Sequence, residues 1–143
     1  MDFPKKIYDD GFIVRYSFVD DAGQEYMVQF KNDSIDTGRA KILGKSYEMA
    51  YFLKNEEGRW DARVLSNSGN PFKTMYMVFG RVLDIFLKEK MWVSRIWFEG
   101  LPKDGESVPS KRTKLYVRHL GNNPVRGYTM NRNANIIELI KNQ

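Results

Sequence analysis

The chain has 143 residues, 42% apolar and 14% aromatic, which suits one domain with a real core and leaves no room for two. It has no cysteine and a single histidine, His119, which excludes a disulfide scaffold, a thiol nucleophile and a multi-histidine metal site, so no metal is expected. The net charge of +5 lies wholly in residues 103–132, where Lys103, Lys111, Arg112, Lys114, Arg118, Arg126 and Arg132 face only Asp104 and Glu106.

No apolar run approaches the roughly 20 residues that cross a bilayer, and the opening MDFPKKIYDDGF lacks the apolar core of a signal peptide. A soluble, intracellular protein without a membrane partner is the expectation. Phe12, Val14, Tyr16 and Phe18 share one face at period two, Asp20-Asp21-Ala22-Gly23 turns the chain, and Tyr26, Val28 and Phe30 resume the alternation. Residues 31–45 read as a polar loop. Tyr47, Met49, Tyr51 and Leu53 form a third strand, and after Asn55-Glu56-Glu57-Gly58 the shorter Trp60, Ala62, Val64 segment pairs back. Two antiparallel hairpins thus fill roughly residues 11–65.

The period then changes. Asn70 and Pro71 are a helix-start signal, and Met75, Val78, Phe79, Val82, Leu83 and Phe86 predict a main helix over 71–89 with a broad apolar stripe. Trp92 to Phe98 is the most apolar strand candidate and is expected near the sheet centre. Ser110 is an N-cap for a basic helix over 110–120, with Leu115 and Leu120 inward and Lys111, Arg112, Lys114 and Arg118 outward. Val125 to Met130 reads as a strand, and Ala134 to Lys141 fits either period. The whole is an α+β single domain over 1–143, a mixed and mainly antiparallel sheet with helices packed on it.

Four groups of residues could carry chemistry. Ser68-Gly69-Asn70 with Lys73 sits in the loop feeding the main helix, where backbone N–H groups favour an anion; an ordinary capped turn is the competing reading. The acidic pairs Asp9-Asp10, Asp20-Asp21 and Glu56-Glu57 fall at turns, where solubility explains them. Tyr116 and His119 are three apart on one helix face, a proton donor beside a group that titrates near neutrality. Against that stand a core-edge tyrosine and a histidine favoured by the helix dipole. Finally, the cations Lys111, Arg112, Lys114, Arg118, Arg126 and Arg132, near Tyr116 and Tyr128, suit an anionic partner such as nucleic acid or an acidic protein.

The order of elements, with Leu115-Tyr116 in the second helix and Gly127-Tyr128 opening the next strand, resembles the back half of the GNAT acyltransferase superfamily over roughly residues 46–140. The resemblance implies that Ser68-Gly69-Asn70 occupies the loop that binds the acyl-CoA pyrophosphate. It also implies acetyl-CoA as the cofactor and Tyr116 as the acid that protonates the departing thiolate. The family's Arg/Gln-x-x-Gly-x-Gly/Ala signature is not met, because Gly69 has no glycine two residues on. The stretch from Val78 to Leu120 also resembles a group of small bacteriophage proteins, through Val78-Phe79, Ile96-Trp97-Phe98 and the Ser110 to Tyr116 helix. That likeness implies the cytoplasm of a bacterial host. Two functions remain open: a degenerate acyltransferase or CoA/nucleotide-binding protein, and a non-enzymatic phage accessory module whose 103–132 surface binds a host protein or nucleic acid.

Overall fold

The computed structural model describes residues 3–33, 45–61, 71–100, 102 and 105–143, with the backbone alone at Pro71 and Phe72. Strands β1 (Lys5–Asp9), β2 (Ile13–Val19), β3 (Glu25–Asn32) and β4 (Ser46–Lys54) form an antiparallel meander. A two-residue strand β5 (Trp60–Asp61) pairs back on the far end of β4. A long helix, α1, then runs through Pro71–Met75, a π-helical segment Tyr76–Val82 and Leu83–Glu89. It is followed by β6 (Arg95–Glu99), helix α2 (Lys111–Asn122), β7 (Tyr128–Asn133) and β8 (Ile136–Lys141). The sheet order is β1-β2-β3-β4-β6-β8-β7, and β4–β6 is the one parallel pair among these strands. The α+β architecture and both helices follow the sequence pattern. Ala62 and Val64 lie outside the described residues.

Alternation decides which face is buried. Val14, Tyr16, Tyr26, Val28, Phe30, Tyr47, Met49, Ile96, Ile137 and Leu139 all lie at 2% exposure or less, on the face that α1 covers. The helix contributes Met75, Val78, Phe79, Val82, Leu83 and Phe86, the stripe its spacing predicts. Phe86 stacks flat on Phe30 at 3.9 Å between ring centroids and meets Tyr47 edge-on at 5.2 Å. Burying such a side chain contributes about 1.5–3 kcal/mol, so this contact seats α1 on the meander.

Local structure departs from the pattern at Phe12, at Trp92, in β1 and at Val125 to Gly127, which stay outside a strand that runs Tyr128–Asn133, and it settles the 134–141 segment. Phe12 leaves the core face: Asp10 Oδ1 accepts from the amides of Phe12 and Ile13, forming a turn that starts β2 one residue later and leaves Phe12 59% exposed. Strand β6 begins at Arg95 rather than Trp92, because pairing starts where the Ser94 and Arg95 amides donate to Lys45 O; Trp92 stays in the preceding turn. The 134–141 segment resolves as a strand, with Ile137 and Leu139 inward and Ile136 and Ile140 half-exposed. Strand β1 carries no alternation at all, since every one of its residues is exposed and the Lys6–Tyr8 step is bulged.

A buried polar knot fixes α2 on the sheet. The Ser110 hydroxyl donates to Gly100 O at 2.8 Å and accepts from the Thr113 amide at 3.0 Å, the N-cap bond expected there. Asn135, from the β7–β8 turn, accepts from the Ser110 amide at 2.7 Å and the Thr113 hydroxyl at 3.0 Å. The start of α2 is thereby tied to the end of β6, and everything α2 carries in its first two turns is set over that point.

Candidate functional site

The parallel ladder between β4 and β6 covers Ser46↔Arg95, Tyr47↔Ile96 and Glu48↔Trp97 and then stops. Strand β4 continues beside β3 to Leu53, while β6 continues beside β8 to Glu99. The two strands therefore part. Among the described residues no strand pairs this side of β4 between Glu48 and Leu53, where β5 begins. The gap is a cleft of about 170 Å³ lined by Glu48, Met49, Ala50 and Tyr51 of β4 and by Phe98 and Glu99 of β6. Phe79 of α1 and Arg112 and Tyr116 of α2 complete it.

Tyr116 sits at the centre of an aromatic cluster. Its ring meets Phe79 at 5.8 Å, Phe98 at 5.7 Å and Tyr51 at 6.3 Å, all steeply inclined. Phe79 reaches this cluster from the π-helical segment of α1, a local widening that in other proteins often accompanies functional sites. The Tyr116 hydroxyl donates to the Tyr51 hydroxyl at 2.9 Å. Burial, then the neighbouring Tyr51, hold the Tyr116 phenol well above the ordinary tyrosine range. Burial also raises Tyr51, but the bond it accepts from Tyr116 pulls it back down. Because Tyr116 is the donor, the Tyr51 hydroxyl proton is the one not directed at its partner.

His119 is the other half of the expected constellation, but it does not share this arrangement. It is buried against Phe79 at 5.8 Å, and desolvation lowers its pKa, so it is a neutral packing group at physiological pH. Arg112 corrects the sequence reading. It is 7% exposed and lines the cleft instead of facing outward, because the knot at Ser110 and Thr113 turns that side of α2 toward the sheet. Its positive charge faces Tyr51 and Tyr116 and favours their phenolate forms.

The other candidates are scattered. Ser68, Gly69 and Asn70 lie outside the described residues. Lys73 is exposed in the first turn of α1 and pairs with Asp21 at 3.3 Å, across to the β2–β3 turn. Lys111, Lys114, Arg118, Arg126 and Arg132 are exposed, and Arg132 also donates to Ala134 O at 2.8 Å. Lys103 lies outside the described residues. Sequence reasoning missed Tyr51, Glu48 and Glu99. Alternation marks Tyr51 as core and Glu48 as solvent-facing, and the strand separation that brings both into one cleft has no signal along the chain.

No group of three or more histidine, aspartate or glutamate side chains that could hold a metal occurs among the described residues. No helix among them is long and apolar enough to cross a membrane. No protein-family model, no curated protein and no solved structure matches this chain.

Proposed function

We propose that the β4–β6 cleft is the working site of a GNAT-like protein and that acyl transfer from acetyl-CoA to an amine is the reaction it supports. The observation that carries this reading is the Tyr51–Tyr116 pair, which with Arg112 lines the gap that opens where the β4–β6 pairing ends. Acetyl-CoA supplies the acyl group as a thioester, whose sulfur needs a proton when the C–S bond breaks.

The chain's own residues answer that need. The Tyr51 hydroxyl donates its proton to the departing sulfur, and the phenolate it becomes is held by the hydrogen bond from Tyr116 and by the neighbouring Arg112 guanidinium. Tyr116 keeps the acid role the resemblance implies, acting through Tyr51. Glu48 and Glu99 supply carboxylates that hold an ammonium group and accept the proton it must lose before its nitrogen can attack. Ser68, Gly69, Asn70 and Lys73 remain the proposed phosphate-holding residues.

A thiol-release assay with acetyl-CoA and a panel of primary amines tests this. Wild-type protein is expected to release CoA, and Tyr51→Phe to lower the rate by about 10²-fold or more, the usual contribution of a general acid. Release that is absent from wild type, or unchanged in Tyr51→Phe, would remove the reaction from the account.

A second reading has its own observation. Lys111, Lys114 and Arg118 are exposed at positions three and seven apart on α2, hence along one stripe of the helix. A row of this kind suits a polyanionic partner, as in a phage accessory module that binds a host protein or nucleic acid.

A further inference from the structure

A second concavity lies away from the cleft and shares no residue with it. The last two turns of α1 supply Asp84, Leu87 and Lys88, the following turn supplies Met91, and the wall opposite is built by Val125, Arg126, Gly127, Tyr128 and Lys141. Its volume is about 330 Å³, at the small end of the range typical of small-molecule sites. Its apolar lining is the half-buried Leu87, Val125 and Tyr128 ring, with the exposed Met91 beside them. Three cations stand around it against one carboxylate, and Asp84 is already neutralised by Lys88 at 2.9 Å. Arg126 has no ion pair among the described residues, and it is exposed.

The wall is held before any ligand arrives. The Tyr128 hydroxyl donates to Val93 O at 2.7 Å, which fixes the ring, and the Tyr128 amide closes a turn on Val125 O at 3.1 Å. Gly127 has φ +85°, a conformation strained for any side chain, and its carbonyl accepts from the Asn142 amide at 2.8 Å. Lys141 reaches across the groove, its Nζ donating to Met91 O at 2.7 Å, so the two sides are tied together. A preformed apolar floor beneath unbalanced positive charge selects one chemistry: an apolar body carrying an anionic group.

We propose that this groove is a second binding site, for a small aromatic or branched aliphatic carboxylate whose apolar part lies on Leu87, Val125 and Tyr128 and whose charge meets Arg126. Naphthalene-2-carboxylate and its neutral twin naphthalene-2-carboxamide are the probes, followed through the backbone amide resonances of the full chain. The carboxylate is expected to give saturable shifts at Leu87, Met91, Gly127 and Tyr128, with the amides of Tyr51 and Tyr116 still. The carboxamide is expected to bind about tenfold more weakly or worse, and Arg126→Glu to weaken the carboxylate by a similar factor.

Arg126 is an exposed loop residue, so its replacement leaves the fold in place, and the variant's unchanged amide spectrum verifies that. Val125→Trp fills the floor and should abolish binding of both probes. Equal affinity for the two probes, no response to Arg126→Glu, or shifts centred on the cleft would each overturn the proposal. So would the lack of a saturable shift at about 5 mM, where a site with a Kd near 1 mM is mostly filled.

Discussion

Three residues carry separate and measurable consequences. Tyr116 lies behind Tyr51, so Tyr116→Phe keeps the ring packing and deletes one buried hydrogen bond. It should cost about 1 kcal/mol of stability, since half-buried Tyr51 regains a partner from water. Its effect on the proposed reaction should be smaller than that of Tyr51→Phe, with the alkaline limb of the rate profile moved to higher pH, because Tyr51 loses the bond that lowers its pKa. Parallel rate profiles of the two variants check the order. Gly100 answers to geometry alone: an added Cβ would stand 2.0 Å from Thr113 Oγ1 and 2.7 Å from the Thr113 amide nitrogen. Gly100→Ala should therefore destabilise the protein by about 3 kcal/mol, the upper end for overpacking, read as a lower denaturation midpoint. His119 sets a pH dependence. Its folded pKa lies below the ordinary 6.5, so the unfolded chain binds a proton the folded chain does not. Stability falls as pH drops through 6.5 toward that lowered value. Melting curves should show His119→Gln with a flatter slope over this window than wild type.

At the scale of elements, legibility follows burial on one face. Strands β2, β3 and β4 announce themselves because Val14, Tyr16, Val28, Phe30, Tyr47 and Met49 alternate against α1, and α1 because its stripe meets them. Strand β1 is silent for the same reason: its five residues pack against no core, so nothing constrains their pattern. Ile136, Ile137, Leu139 and Ile140 fit both periods on paper, and the pairing with β6 decides for a strand. The α2 stripe was legible in its charges and wrong in one member, since Arg112 turns inward. The test of the polyanion reading accordingly uses Lys111→Glu, Lys114→Glu and Arg118→Glu together and leaves Arg112 alone. Exposed charges of this kind each contribute little to stability, so the triple variant should melt close to wild type. If α2 binds a nucleic acid, wild-type affinity for a short single strand should fall steeply with salt and the variant should lose it. Binding indifferent to both would reduce the stripe to a solvated helix face.

For the whole molecule, the cleft is a product of topology. Among the described residues six strand pairs are antiparallel, and the crossover through α1 inserts one parallel contact, β4–β6, that holds for three residue pairs and then opens. Tyr116 could be singled out from the chain because it lies beside Leu115 in a capped helix. Tyr51, Glu48 and Glu99 could not, because their meeting depends on where two distant strands cease to pair. Ala50 lies just beyond the last β4–β6 pair and lines the gap, which makes it the direct handle on the central claim. Isothermal titration of acetyl-CoA into wild type, Ala50→Trp and Arg126→Glu decides it. The account predicts saturable binding to wild type and to Arg126→Glu, and none to folded Ala50→Trp, whose indole fills the cleft. Unchanged affinity in Ala50→Trp, or no heat with wild type at about 1 mM ligand, where even a weak site would respond, would contradict it.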